Sequence, residues 1–184
     1  MYLLRHCESY FNLHFKRERR DPGIQDPELT PEGHAHAETL AAQLPALALQ
    51  RLIISPYTRT LQTAGYILDR IRVPALIVQD VRERTAFACD IGSHPDVLAS
   101  RFPRHDFLHL PPRWWHEGIE TAEETVARAA AFRWRMANGE DQANTLVVTH
   151  WAFILALTGR SVGNGEWVQF DPHAPPPSHI EWRV

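Results

Sequence analysis

Residues 145–159 read TLVVTHWAFILALTG. The first five are apolar or β-branched with no polar alternation, the pattern of a short strand buried on both faces of a parallel sheet. After His150 the apolar run continues at helical length and stops at Gly159, a residue suited to a helix C-terminus. Strand, histidine and helix therefore follow one another with no spacer. The runs YLL (2–4), LII (52–54) and ALIV (75–78) read as further strands of the same kind, and helical segments separate most of them.

The helix starts are written in capping chemistry. In TPEG, Thr30 is a candidate N-cap with Pro31 at the first helical position, and Ala35, Leu40, Ala41 and Leu44 recur at helical spacing. In SPYTRT, Ser55 is the candidate cap, Pro56 follows, and Leu61, Ala64 and Leu68 form the stripe. Thr121 and Glu124 form a capping box for a longer helix with Val126, Ala130 and Trp134 facing inward. Such alternation predicts an α/β fold, a three-layer α/β/α sandwich with a mainly parallel central sheet. SVGNGEWVQF and SHIEWRV, with Asn-Gly turn chemistry and alternating residues, read as closing strands. The proline-rich stretch at about 90–120 reads as an irregular insertion that covers a site.

At 184 residues the chain is expected to form one domain, 1–184. A formal charge of -3 gives no global reason to expect nucleic acid or an anionic membrane, so an anion site has to be local. There is no run of about 18 apolar residues and no signal-peptide pattern, and Cys7 and Cys89 are the only cysteines. A reducing, cytoplasmic setting is the expectation. Nothing specifies an oligomeric state.

In an open α/β sheet, ligands bind beyond the carboxyl ends of the strands. That rule gathers Arg5 and His6 after the first strand, Arg59 in the helix after the second, Glu83 after the third and His150 after TLVVT. Guanidinium forks match phosphoryl oxygens. A neutral imidazole is a nucleophile, and neighbouring arginines lower its pKa and keep it neutral. His6 fits that role, with Arg5, Arg59 and His150 stabilising the transferring phosphoryl group and Glu83 protonating the leaving oxygen. Arg82 and Arg84 flank Glu83 and favour its ionised form, but alternation along an extended chain turns them to the other side.

The ordered set RHCESYFN, LTPEGHAHAETLA, SPYTRTLQTA, VRERTAFACDIG and VVTHWAFILALTG resembles the histidine phosphatase superfamily, also called phosphoglycerate mutase-like, and spans most of the chain. The resemblance implies the phosphoglycerate mutase-like sandwich, His6 as phosphohistidine nucleophile, and a phosphate pocket of Arg5, Arg59 and His150. It also implies Glu83 as proton donor, Asn12 on the phosphate, and the Trp151 backbone N–H as a further donor. No metal and no other cofactor is implied, and the expected partner is a small phosphorylated substrate. The sequence departs from the family's mutases at Ala86, where they carry tyrosine, and has no adjacent arginine pair between Cys89 and Glu120. A phosphatase is therefore the expected activity, with a mutase or a non-catalytic phosphate or phosphoprotein binding module as alternatives.

Other features weigh less. Cysteine-dependent phosphatases place an arginine six positions after the cysteine; here those positions are Leu13 and Pro95. Cys7 stands where the family has glycine and reads as a small filler, although nearby cations favour a thiolate there. His34 with His36, and His105 with His109 and His116, lack metal-site spacing. Arg17, Arg19 and Arg20 are weak substrate candidates within a basic run, and Trp114-Trp115 reads as a packing anchor.

Overall fold

The computed structural model describes residues 1–139 and 144–182. Five strands form one sheet in the order β3-β2-β4-β1-β5, where β1 is Tyr2–Arg5, β2 Arg51–Ile54, β3 Ala75–Ile77, β4 Thr145–Thr149 and β5 Trp167–Gln169. The first four pair in parallel, and β5 closes the edge antiparallel to β1. β4 is buried along its whole length, which is why its sequence shows no polar alternation.

Successive strand residues point to opposite faces, and each face has its own apolar cluster. Leu4, Leu52, Ile54, Leu146 and Val148 pack with α2 (Pro31–Gln43) and α3 (Thr58–Arg70). Leu3, Ile53, Val147 and Val168 pack with α5 (Ala122–Asn138) and α6 (Trp151–Thr158). Each fully buried Leu or Ile contributes roughly 2–3 kcal/mol, so a charge at Val147 would break the layer that packs against α5 and α6 at the centre of the sheet. The three-layer sandwich read from the sequence is the observed fold.

Details differ from the sequence reading. α1 (Tyr10–Glu18) is a helix that carries most of the basic run; Ser9 and Asn12 cap it reciprocally, with asparagine in the position usually held by Glu or Gln. α3 starts at Thr58 rather than after Ser55: its first N–H is met by Asp26, whose Oδ1 accepts from the Thr58 N–H at 2.8 Å. α5 buries Thr125, Ala129 and Phe132, while Val126, Ala130 and Trp134 face outward. Apolar residues surround much of that helix, and the edge-on contact of Phe132 with Phe153 at 5.5 Å decides its face. On α2, Ala37 takes the inward place expected for Ala35, and Gly33 is required because a Cβ there would lie 2.1 Å from the Glu8 carbonyl oxygen.

The expected insertion holds a short helix, α4 (Pro95–Arg101). Of the two expected closing strands only β5 forms. Residues 178–182 of SHIEWRV are not a strand, and the last two lie outside the described residues. Among the described residues no helix is long and apolar enough to cross a membrane.

Candidate active site

The parallel register sets Arg5 opposite Thr149, so the next residues, His6 and His150, become neighbours just past the paired strand ends. Their rings lie 5.2 Å apart between centroids. Two further bonds fix this edge: the His6 N–H donates to the Thr149 carbonyl at 3.0 Å, and Thr149 Oγ1 donates to the Val81 carbonyl at 2.5 Å. The second bond holds the chain leading to Glu83 against β4.

The Nδ1 of His6 lies 2.7 Å from the Cys7 carbonyl oxygen. A carbonyl only accepts, so the proton sits on Nδ1 and Nε2 carries the free lone pair. Burial lowers the His6 pKa well below its ordinary value, and Arg59 and Arg5 lower it further. The ring is thus neutral with one nitrogen exposed to attack an electrophile.

Around it is a cavity of ≈ 290 Å³ whose wall includes Arg5, Asn12, Arg59, Glu83 and Trp151. Arg5 donates to the Val162 carbonyl at 2.8 Å, leaving its buried Nε without a partner among the described residues. Arg59 donates to the Cys89 carbonyl at 2.8 Å and pairs with Asp90 at 3.3 Å, its guanidinium 4.3 Å over the Tyr57 ring. Burial opposes the Arg59 charge, yet Cys89 and Asp90 raise its pKa. Asn12 accepts on Oδ1 from Ser9 and from Asn164, which leaves its amide N–H₂ as donor.

Glu83 accepts on Oε1 from the backbone N–H groups of Arg84 at 2.9 Å and Ala152 at 3.0 Å. Its pKa is nevertheless raised to about 7, by burial first and by the neighbouring Asp90 charge second. The flanking arginines do not neutralise it, because Glu120 holds both. Arg82 meets the Glu120 carboxylate at 3.3 Å, and Arg84 Nε donates to the Glu120 carbonyl at 2.8 Å. The Ala152 bond also ties Glu83 to the first turn of α6, where the Trp151 N–H stands next to it with no partner among the described residues.

His150 is fully buried, its ring beside that of His6. Its Nε2 lies 2.8 Å from Ser55 Oγ, and its Nδ1 has no partner among the described residues. This bond is the role of the serine that the sequence offered as a helix cap. Residues 91–120 contribute nothing to the wall. Instead Trp114 from that stretch lies edge-on to Tyr57 at 4.6 Å, and Tyr57 edge-on to His150 at 5.0 Å, so the expected cover is a buttress.

Cys7 has no exposure and packs in the core beneath α2 and α3, and burial pushes its thiol up to about 12. The thiolate suggested by nearby cations is thereby corrected. Its φ is not among the positive ones, so the backbone there accepts a side chain. Arg17, Arg19 and Arg20 are exposed and off the wall. The histidine groups disperse: His34 meets Tyr66, His109 the Ile77 carbonyl, and His116 faces Glu124.

Sequence reasoning missed Asp90, and it read the Asn164-Gly165 turn as a strand connection rather than as part of the site. Asp90 Oδ2 accepts from the Ala86 and Phe87 N–H groups at 3.0 and 3.1 Å while Oδ1 faces Arg59. Asn164 donates to the His6 carbonyl at 3.1 Å, and Gly165, at φ +73°, brings its N–H to the carbonyls of Arg5 and His6. Only the Asn-Gly pair left a signal in the sequence.

Fold and wall together define an α/β protein with an arginine-lined cavity built around a neutral histidine. The chain belongs to the histidine phosphatase superfamily (branch 1), whose family model matches residues 1–176. It is 27% identical over 114 residues to a probable phosphatase of Schizosaccharomyces pombe, the match covering 58% of this chain and 51% of that protein. It thus spans about half the length of that curated relative. Its fold is similar to that of a mycobacterial glucosyl-3-phosphoglycerate phosphatase in complex with VO3, with TM-score 0.63 and 19% identity over 91% of this chain and 90% of the other. A putative alpha-ribazole-5'-P phosphatase from Escherichia coli is similar at TM-score 0.63 and 21% identity, over 90% and 86% of the two chains.

Proposed function

We propose that the protein hydrolyses phosphomonoesters of small molecules through a phosphohistidine on His6. The observation that carries this reading is the Nδ1–H bond to the Cys7 carbonyl, which presents the Nε2 lone pair of a neutral His6 to the arginine-lined cavity. Two buried nitrogens without partners among the described residues, Arg5 Nε and His150 Nδ1, belong to residues beside that ring. Buried polar atoms are rarely left unpaired, and an anion's oxygens would satisfy both.

In the first step Nε2 forms a bond to phosphorus while the bond to the ester oxygen breaks, and protonated Glu83 gives its proton to the leaving oxygen. Arg5, Arg59, the Asn12 amide and the Trp151 N–H stabilise the equatorial oxygens. With Ser55 donating to His150 Nε2, the His150 proton sits on Nδ1 and joins them. In the second step ionised Glu83 takes a proton from water, which attacks phosphorus and releases phosphate and neutral His6. A carboxyl with a pKa of about 7 serves both steps near neutrality.

Hydrolysis rather than mutase transfer is supported by the arginines of the 91–120 stretch, each engaged away from the cavity. Arg101 pairs with Glu28, Arg104 with Asp69 at 2.8 Å and Arg113 with Glu117 at 2.7 Å. The protein is therefore expected to release phosphate from para-nitrophenyl phosphate, and His6→Ala to abolish the release. Absence of turnover and of phosphoenzyme would make it a binding module, and isomer formation from phosphoglycerates without free phosphate would make it a mutase.

A further inference from the structure

Three phenylalanines belong to neither apolar cluster of the sheet. Phe11 and Phe15, about one turn apart on α1, stack at 5.2 Å with 17° between their planes. Phe87, from the turn beyond Glu83, lies 5.4 Å from Phe11 and 5.2 Å from Phe15. All three line the cavity that holds His6, and Phe15 and Phe87 are only half-buried. Phe11 is buried, but Phe15 and Phe87 keep part of their ring surface open, and together the three form an aromatic wall against the space in front of the nucleophile.

The charges around that wall point the same way. Arg84 also lines the cavity, but its Nε is held by the Glu120 carbonyl and its guanidinium lies 5.2 Å over the Trp182 ring. The exposed Lys16, Arg17 and Arg19 beside α1 are not on the wall. Beyond the phosphoryl-binding arginines, a second anionic group on a substrate would meet rings and the carboxyls of Glu83 and Asp90. An aromatic group would meet edges and faces at contact distance and be drawn out of water.

We propose that the site selects phosphomonoesters of aromatic alcohols, with the substrate ring lodged among Phe11, Phe15 and Phe87. This rests on the hydrolase reading above. Benzyl phosphate, methyl phosphate and 3-phosphoglycerate separate the two claims, since none has an activated leaving group. Benzyl phosphate is expected to exceed both others in kcat/KM by about tenfold or more, in line with the value of an aromatic contact plus the ring's burial. Phe15→Ala should lower the benzyl-to-methyl ratio several-fold and Phe15→Leu should restore part of it; Phe87→Ala tests the wall from a second element. Preference for 3-phosphoglycerate, or a ratio unmoved in both alanine variants, would overturn the proposal while leaving the hydrolase intact. If no ester is hydrolysed, the hydrolase reading fails, and calorimetry decides the pocket. Benzylphosphonate binding more tightly than methylphosphonate supports the aromatic site, and equal affinities refute it.

Discussion

Glu83→Gln separates the chemistry of this carboxyl from its cost to the fold. Burial raises its pKa from the ordinary 4.5 to about 7. Below the lower value the group is neutral in both folded and unfolded chains, and between the two values only the unfolded chain ionises. Stability present at acid pH is therefore lost as pH rises through about 7, and at about 1.4 kcal/mol per pH unit the loss amounts to roughly 3 kcal/mol. Glutamine cannot ionise but still accepts from the Arg84 and Ala152 N–H groups that Glu83 Oε1 accepts from. The variant's stability relative to the parent should thus increase by about 2–3 kcal/mol between about pH 5 and about pH 8.5, or roughly 5–10 °C in Tm. Thermal unfolding at the two pH values measures it. Activity should move oppositely, with kcat/KM, which reports the first step alone, falling about 10²–10⁴-fold for alkyl esters and far less for para-nitrophenyl phosphate, whose leaving group needs no proton. A Tm difference unchanged with pH, or equal losses on both substrates, would refute the assignment of Glu83 as a buried, protonated acid.

Two other substitutions test the surroundings. Asp90→Asn removes the charge that raises Glu83 and the partner of Arg59. The alkaline limb of the pH–rate profile should shift to lower pH and KM should rise about tenfold, the effect of losing roughly 1.4 kcal/mol of positioning at one guanidinium; a limb shifted upward would contradict the pairing. Cys7→Gly should keep kcat/KM within about twofold while losing roughly 1–2 kcal/mol of stability to the emptied core site and the freer backbone, as urea unfolding would show. Loss of activity comparable to that of His6→Ala would mean that the nucleophile is misassigned.

The strand ends could be read from sequence because Arg5-His6 and His150 directly follow apolar runs whose burial requires a central strand. Arg5-His6 and His150 lie next to one another by β pairing, and a parallel register puts successive strand ends at one edge whatever the loops do. The residues that tune them are joined through space instead. Asp26 caps α3 across 32 positions, Glu120 holds Arg82 across 38, and Ser55 meets His150 across 95. No local spacing encodes such contacts. The inward face of α5 differs from the expected stripe by one or two positions for a related reason: with apolar residues on adjacent stripes, Phe153 on another helix makes the choice. Asp90 was illegible because a lone acidic residue in an irregular stretch looks like a solvated loop until Arg59 and two backbone N–H groups are seen around it.

The central claim, attack by His6 Nε2, is tested most directly by acid-free quenching of the protein during turnover of a radiolabelled phosphomonoester. The label is then mapped to a peptide and its isomer is identified. The structure predicts acid-labile, alkali-stable phosphohistidine at His6, attached at Nε2 because Nδ1–H is bound to the Cys7 carbonyl, with no label in His6→Ala. Turnover with the phosphoryl group on Cys7, on His150 or on Nδ1 of His6 would contradict it.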